Sequence, residues 1–440
     1  MEILSPEIEE VTTDSPLLFS WKASETVKPP WDINVIAAAS HPAGAGAILP
    51  LVNELVSRGA ACHLFTPPPK DGIDRAATAF AKDFEFPRLP EIEIAVVSPE
   101  VFSANRTNLV IFGASGGGDE QLELSLVKQA VELKRNGYPV LVVGIEDDAS
   151  GLVGLTKQLE QAGINLRTEI GALFLANRLP LDVYKSLGVP AEKLIPTGPT
   201  GFDFLHQENT QELGQDFRRK NGIADSDILV VYNAIRGTGL WSKIEIDATL
   251  KILSAIFELA ASRPDKKFVF IYRFHPDDQK PEVLNEIIDK RPDSPKNLTI
   301  IVHQPQETKI DSRSPLAAAD LVITTVSTTN TGVALCGAKP ESSRPQTGRM
   351  PMFFISQIAI DALNKTSTIL PTPSQIGASS VAHADEEILP TIERSLFYEK
   401  YRRSIFSQQA TRLREIYRFK GTATATDRTL MQIRQLLKHL

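Results

Sequence analysis

Three stretches carry residues whose types and spacing could do chemistry. The first is Ala319 to Pro340, Ala-Asp-Leu-Val-Ile-Thr-Thr-Val-Ser-Thr-Thr-Asn-Thr-Gly-Val-Ala-Leu-Cys-Gly-Ala-Lys-Pro. Leu321 to Thr325 is a β-branched run and predicts a buried parallel strand. Ser327, Thr328 and Thr329 stand where a helix must begin, and Gly337 and Pro340 end it. Hydroxyls and unpaired amides converging on a helix N-terminus make an anion site. The plainer alternative is a capped helix of any α/β protein. The second stretch is Arg236-Gly237-Thr238-Gly239, past a predicted strand. Its glycines would admit a diphosphate, Thr238 could bond an oxygen, and Arg236 could neutralise a leaving group. A plain glycine turn with a solvated arginine is the alternative. The third is Ser40-His41-Pro42-Ala43-Gly44-Ala45-Gly46, at the carboxyl end of the first strong strand. Open α/β sheets bind ligands at such ends. An imidazole there suits removal of a proton from a hydroxyl near neutral pH. A histidine satisfied by loop backbone is the alternative.

The elements that must hold these residues alternate between strand and helix. Strands are predicted at residues 33–39, 60–65, 109–112, 139–143 and 172–176, then at 228–232, 268–272, 298–303 and 321–325. Apolar residues at helical spacing follow most of them, among them Ile48, Leu51, Val52, Leu55 and Val56. Such alternation predicts mostly parallel sheets. Gly113 to Gly118 forms another glycine-rich turn, with Ser115 and Gly116 inside it. The Pro and Gly density between 188 and 201 marks the end of a first domain. The boundaries read as an irregular arm over 1–30, domains over 31–202 and 203–395, and C-terminal helices over 396–440.

The 440 residues favour two or three domains. At 42% hydrophobic and 23% charged, the composition is that of a globular chain. A net charge of -7 gives no overall pull toward nucleic acid. No apolar run is long enough to span a membrane, and the acidic first ten residues do not resemble a targeting peptide. Cys62 and Cys336 sit in apolar settings and read as buried thiols. The expected location is cytoplasmic.

Four segments, in order, resemble the GT-B-fold glycosyltransferases. They are the first turn with His41 and Gly44, Leu187-Gly188-Val189-Pro190 leading to Thr197-Gly198, the turn at Arg236 to Gly239, and Ala319 through Pro340. The resemblance implies an α/β fold of two Rossmann-like domains facing across a cleft, with C-terminal helices packing back on the first domain. It implies metal-independent transfer of a sugar from a UDP- or GDP-linked donor to an unidentified acceptor, whether saccharide, lipid or protein. No separate cofactor is expected. His41 would be the general base, with Gly44, Ser115 and Gly116 on the acceptor side. Arg236, Gly237, Thr238, Gly239, His275, His303, Ser327, Thr328 and Thr329 would bind the donor. His275, followed by Pro276, would contact phosphate or sugar, and His303 would stand where the base is read.

The chain departs from the family where a donor-binding Glu is common; Thr331-Gly332 stands there. That departure favours a scaffold without chemistry, and two further readings compete: a non-hydrolysing sugar-nucleotide 2-epimerase, and a related transferase of polyol phosphates, suggested by His275-Pro276 and the Ser-rich turn. The epimerases show Gly-Thr-Arg-Pro-Glu in the first turn and paired Glu after the Ser turn, and both are absent here. Asp225-Ser226-Asp227 spells a metal motif of another glycosyltransferase fold, but it precedes a strand and reads as a turn. Asp147-Asp148 and Asp277-Asp278 read as loop charges. The last 40 residues hold nine Lys/Arg against Glu415 and Asp427. A helix packed on the first domain with a solvated basic face is expected, and contact with an anionic membrane surface is the sharper alternative.

Overall fold

Apolar, largely β-branched runs of four to eight residues account for most of the strands. The computed structural model describes residues 18–21, 31–40, 42–66, 99–114, 121–148, 152–203, 210–234, 240–274, 294–303, 314–325, 329–337, 350–354, 372–418 and 423–440. Two compact units emerge, Met1–His206 with Ile416–Leu440, and Gln207–Glu415.

In the first unit the strands are β1 (Leu18–Trp21), β2 (Ile33–Ala39), β3 (Ala61–Phe65), β4 (Thr107–Ala114), β5 (Val140–Glu146), β6 (Ala172–Leu175) and β7 (Leu194–Pro196). Their order is β1-β3-β2-β4-β5-β6-β7. Six run parallel, and β1 pairs antiparallel with β3 at the edge. The lead-in read as irregular thus contributes a strand. Both faces of the sheet are covered, so β2 and β5 are buried at every position. Helix α1 (Pro42–Ser57) lies on one face and helix α2 (Gln121–Arg135) on the other.

The second unit holds β8 (Ile228–Asn233), β9 (Phe268–Arg273), β10 (Leu298–His303), β11 (Leu321–Thr324), β12 (Met350–Phe354) and β13 (Ser380–Ala382). The order β10-β9-β8-β11-β12-β13 is parallel throughout. Helix α3 (Thr210–Lys220) and helix α5 (Thr329–Gly337) cover one face; helix α4 (Leu240–Ser262) covers the other. The predicted turn at Asp225-Ser226-Asp227 lies at the amino end of β8. There Asp227 accepts from the Ala224 amide at 3.1 Å and from Lys267 Nζ at 2.8 Å. Asp320, from the motif before β11, also works at that end. It accepts from Arg218 Nη2 at 2.7 Å and from the Leu229 amide at 2.8 Å, tying α3 to the sheet.

The chain then returns to the first unit. Helix α6 (Ala425–Leu437) inserts Leu430 and Ile433 into the core beneath α1. Burying two such side chains contributes about 1.5–3 kcal/mol each. Asp203 accepts the amides of Ala425 and Thr426 at 2.8 and 2.7 Å, and Thr424 with Asp427 forms a capping box. The Thr197-Gly198 pair of the sequence motif is the ledge on which this return rests. Thr197 accepts from Arg428 Nε at 2.6 Å and pairs with Thr429 at 2.9 Å. Gly198 has φ 101°, and a Cβ there would lie 2.7 Å from the Tyr417 carbonyl oxygen. Arg402, Arg418 and Arg428 donate to backbone carbonyls, so part of the basic charge of the last 40 residues serves the fold. Among the described residues no helix is long and apolar enough to cross a membrane.

Candidate functional site

A parallel sheet gathers every strand's carboxyl end on one edge, and its ligand crevice lies where strand order reverses. In the second unit that point falls between β8 and β11. The register there aligns the last residues of four strands. Thr324 partners Asn233, Asn233 partners Arg273, and Arg273 partners His303. All four are polar groups that an apolar strand would not need, and all four are buried. Arg273 Nη1 donates to Asn233 Oδ1 at 2.7 Å. Burial and the neighbouring Arg273 guanidinium push the His303 imidazole below its ordinary value, so it is neutral near pH 7. Side chains alternate along a strand, so this row shares a face with Val231, Ile271 and Val322. That face packs against Val333 of α5.

The same edge leads in sequence to the predicted binding turns. β8 runs on to Arg236-Gly237-Thr238-Gly239, β9 to His275, and β11 to Ser327 and Thr328. These seven residues lie outside the described residues, as do His41, Ser115 and Gly116. Thr329 is the first residue of α5, which places a helix N-terminus just after β11. Thr325, between strand and helix, is 2% exposed, and its hydroxyl has no hydrogen-bond partner among the described residues. His303 is the one predicted donor-side histidine that the described residues place, and it lies in the row. Thr331, at the position where the resemblance leads one to look for Glu, is fully buried in α5.

In the first unit the reversal falls between β2 and β4. Gly44 is not in an open turn. It lies in the first turn of α1, which starts at Pro42, a residue preorganised for that position. Its carbonyl oxygen would stand 2.7 Å from a Cβ at Gly113, so the two glycines let helix and strand approach closely. Ser40, the residue before His41, donates through both its amide and its hydroxyl to the two carboxylate oxygens of Glu123, a fully buried residue of α2. A carboxylate clamp therefore fixes the end of β2.

Sequence reasoning passed over Glu146, the last residue of β5. Its side chain is fully buried. Tyr184 donates its hydroxyl to Oε1 at 2.5 Å, and the Ala176 amide donates to Oε2 at 3.0 Å. Burial pushes its pKa up to about 8, the Tyr184 and Ala176 hydrogen bonds pull the other way, and Asp147 and Asp148 add a further upward push. A strongly perturbed carboxyl at a sheet's carboxyl edge is a functional-site signature. The signal in the sequence was an acid ending an apolar strand, with two more acids after it. Asp148, read as a loop charge, is instead buried and accepts from Tyr417 Oη at 2.6 Å. Cys62 is buried as expected, and burial raises its thiol pKa; the side chain of Cys336 lies outside the described residues.

No family model matches the chain, and no curated protein matches it by sequence. Solved structures do match its fold. UDP-GlcNAc 2-epimerase from Neisseria meningitidis, bound to UDP-GlcNAc, shares 14% identity over 88% of this chain and 100% of its own, with a TM-score of 0.51. UDP-GlcNAc 2-epimerase from Methanocaldococcus jannaschii, in complex with UDP-GlcNAc and UDP, shares 14% over 92% and 99%, at 0.51. Anabaena HepE in complex with UDP shares 11% over 93% and 100%, at 0.52. At such identities the likeness speaks for the fold, and together with the two doubly wound sheets and the returning α6 it is the GT-B fold.

Proposed function

We propose that the chain binds a UDP-linked sugar at the carboxyl edge of the second sheet and processes it as an enzyme. The observation that carries this reading is the buried polar row Thr324–Asn233–Arg273–His303, set across the strand-order reversal beside the N-terminus of α5. In the proposal, Arg236 to Gly239 and Ser327 to Thr329 hold the diphosphate by their positions after β8 and β11. His275 and His303 contact the rest of the nucleotide sugar. Neighbours named for UDP and UDP-GlcNAc support uridine over guanosine.

Epimerisation at carbon 2 of the sugar is the first activity to assay, because two of the neighbours are named for it. Glycosyl transfer is the second reading. The first turn favours it, carrying Ser40-His41-Pro42 in place of the epimerases' Gly-Thr-Arg-Pro-Glu. His41 would then be the general base, with Gly44, Ser115 and Gly116 on the acceptor side.

Calorimetry with UDP tests the binding claim, and no heat at millimolar UDP would sink it. Proton NMR with UDP-GlcNAc in deuterium oxide separates the chemistries. Epimerisation yields the carbon-2 epimer with deuterium at that carbon. Transfer releases UDP and leaves the carbon-2 hydrogen in place. UDP binding with neither product, across a panel of UDP sugars, would make the chain a sugar-nucleotide-binding scaffold.

A further inference from the structure

We propose that the hydroxyl of Thr325 binds the diphosphate of the sugar nucleotide, and that the free chain holds this hydroxyl unpaired until the ligand arrives. This rests on the reading above, and it adds a residue that the predicted binding turns do not include. Thr325 follows the last residue of β11 and stands four residues before Thr329, which opens α5. Thr324 lies beside Asn233 of β8 and Phe353 of β12. One step further on, the same register sets Thr325 in line with Ala234 and Phe354, at the strand-order reversal. Both of these neighbours are apolar and buried. Nothing in that setting calls for a hydroxyl, and valine would offer the same branched shape with a methyl in its place. Yet Thr325 is 2% exposed, and its Oγ1 has no hydrogen-bond partner among the described residues. A buried hydroxyl without a partner destabilises the chain that carries it. In native proteins such a group marks strain, a bound water or ion, or a functional role.

The two segments that meet here favour an anion as the missing partner. From Ile228 through Gly239, and from Leu321 through Pro340, the chain has no Asp or Glu, while Arg236 and Lys339 are present. An anion at this edge therefore meets no carboxylate from either segment. Helix α5 is nine residues long, and the positive pole of its dipole lies at the end nearer Thr325. A hydroxyl that donates to a phosphate oxygen makes a charge-assisted bond, stronger than a bond to a neutral group.

The test uses the full chain and reads two quantities, the thermal midpoint without ligand and the affinities for UDP and uridine by calorimetry. Wild type should prefer UDP. Thr325→Val should lower UDP affinity by about tenfold to a hundredfold, the range for a hydrogen bond to a charged group, and leave uridine affinity within about twofold. Its midpoint without ligand should equal or exceed that of wild type, because an unpaired buried hydroxyl has been removed. Thr325→Ser keeps the hydroxyl and should keep UDP affinity within about threefold, which separates loss of the hydroxyl from a change in packing. A residue that served only the fold would move the midpoint and leave the UDP-to-uridine ratio alone. If Thr325→Val keeps the wild-type ratio, or if Thr325→Ser loses UDP affinity as fully as Thr325→Val does, the inference is overturned and the site reading stands. A lower midpoint for Thr325→Val also overturns it, since the hydroxyl would then have a partner, such as a bound water, in the free chain. If wild type binds neither UDP nor uridine, the site reading itself fails.

Discussion

Glu146→Gln should make the first unit both more stable and less sensitive to alkali. A free glutamate titrates near 4.5, while Glu146 in the folded chain titrates near 8. Below the lower value both folded and unfolded chains hold the proton, and the carboxyl adds no pH dependence. Between the two values the unfolded chain ionises and the folded chain does not, so stability falls as pH rises. Above the upper value both are ionised and the penalty is constant. At about 1.36 kcal/mol per pH unit, the full penalty is on the order of 5 kcal/mol. Glutamine cannot ionise. Its carbonyl can still accept from the Ala176 amide, and its amide can donate to the Tyr184 oxygen, so both hydrogen bonds survive in kind. The assay is urea unfolding from about pH 5 to about pH 9, followed by tryptophan emission in a Trp241→Phe background. The remaining Trp21 and Trp31 both belong to the first unit. His63, whose pKa is lowered by burial, adds a dependence of opposite sign, but it is present in both proteins and cancels. The stability gap between variant and wild type should widen by about 1.4 kcal/mol per pH unit up to about pH 8. Parallel stability profiles across that range would refute the account of Glu146 as a buried carboxyl that keeps its proton.

Three further outcomes are expected. Asp203→Ala should destabilise the first unit by about 2–4 kcal/mol, since two buried amides at the start of α6 lose a charged acceptor; Asp203→Asn should cost less, and urea midpoints read both. Arg236→Ala should weaken UDP binding by about 1.5–3 kcal/mol in calorimetry, with the thermal midpoint unchanged. If transfer is the activity, His41→Asn should cut turnover by about 10²–10⁴ while UDP affinity stays intact, because its proposed role is in the first unit and the nucleotide is assigned to the second.

The α/β class and the parallel strands were legible because buried parallel strands write themselves as continuous apolar runs. Strands β2, β5, β8, β9 and β11 are such runs. β1 was not, because four residues in an acidic, aperiodic lead-in gain their pairing only from β3. The glycines near His41 read as a turn, yet Gly44 is needed for helix–strand contact, a tertiary demand that looks the same in sequence. Asp148 read as a loop charge, and the role of Asp203 went unread, since their partners lie more than two hundred residues away, at Tyr417 and at the start of α6. The row Asn233–Arg273–His303 was hidden for a related reason. Each residue alone is a polar strand end, and only register makes them neighbours. His303 was found through resemblance, whereas Arg273 and Glu146 needed the sheet.

The return of α6 has a consequence for synthesis. The first unit begins the chain but is completed only when residues 425–437 have been made. At about 5–20 residues per second, the ribosome needs on the order of ten to fifty seconds to pass from His206 to Leu437. Through that interval the pocket for Leu430 and Ile433 stands open, and the carboxylates of Asp148 and Asp203 await their donors. The second unit has the chance to fold first, as an insertion within an unfinished host. A nascent chain stalled anywhere between residues 207 and 415 therefore leaves two unfinished bodies rather than one, with a groove in the first that chaperones would have to guard.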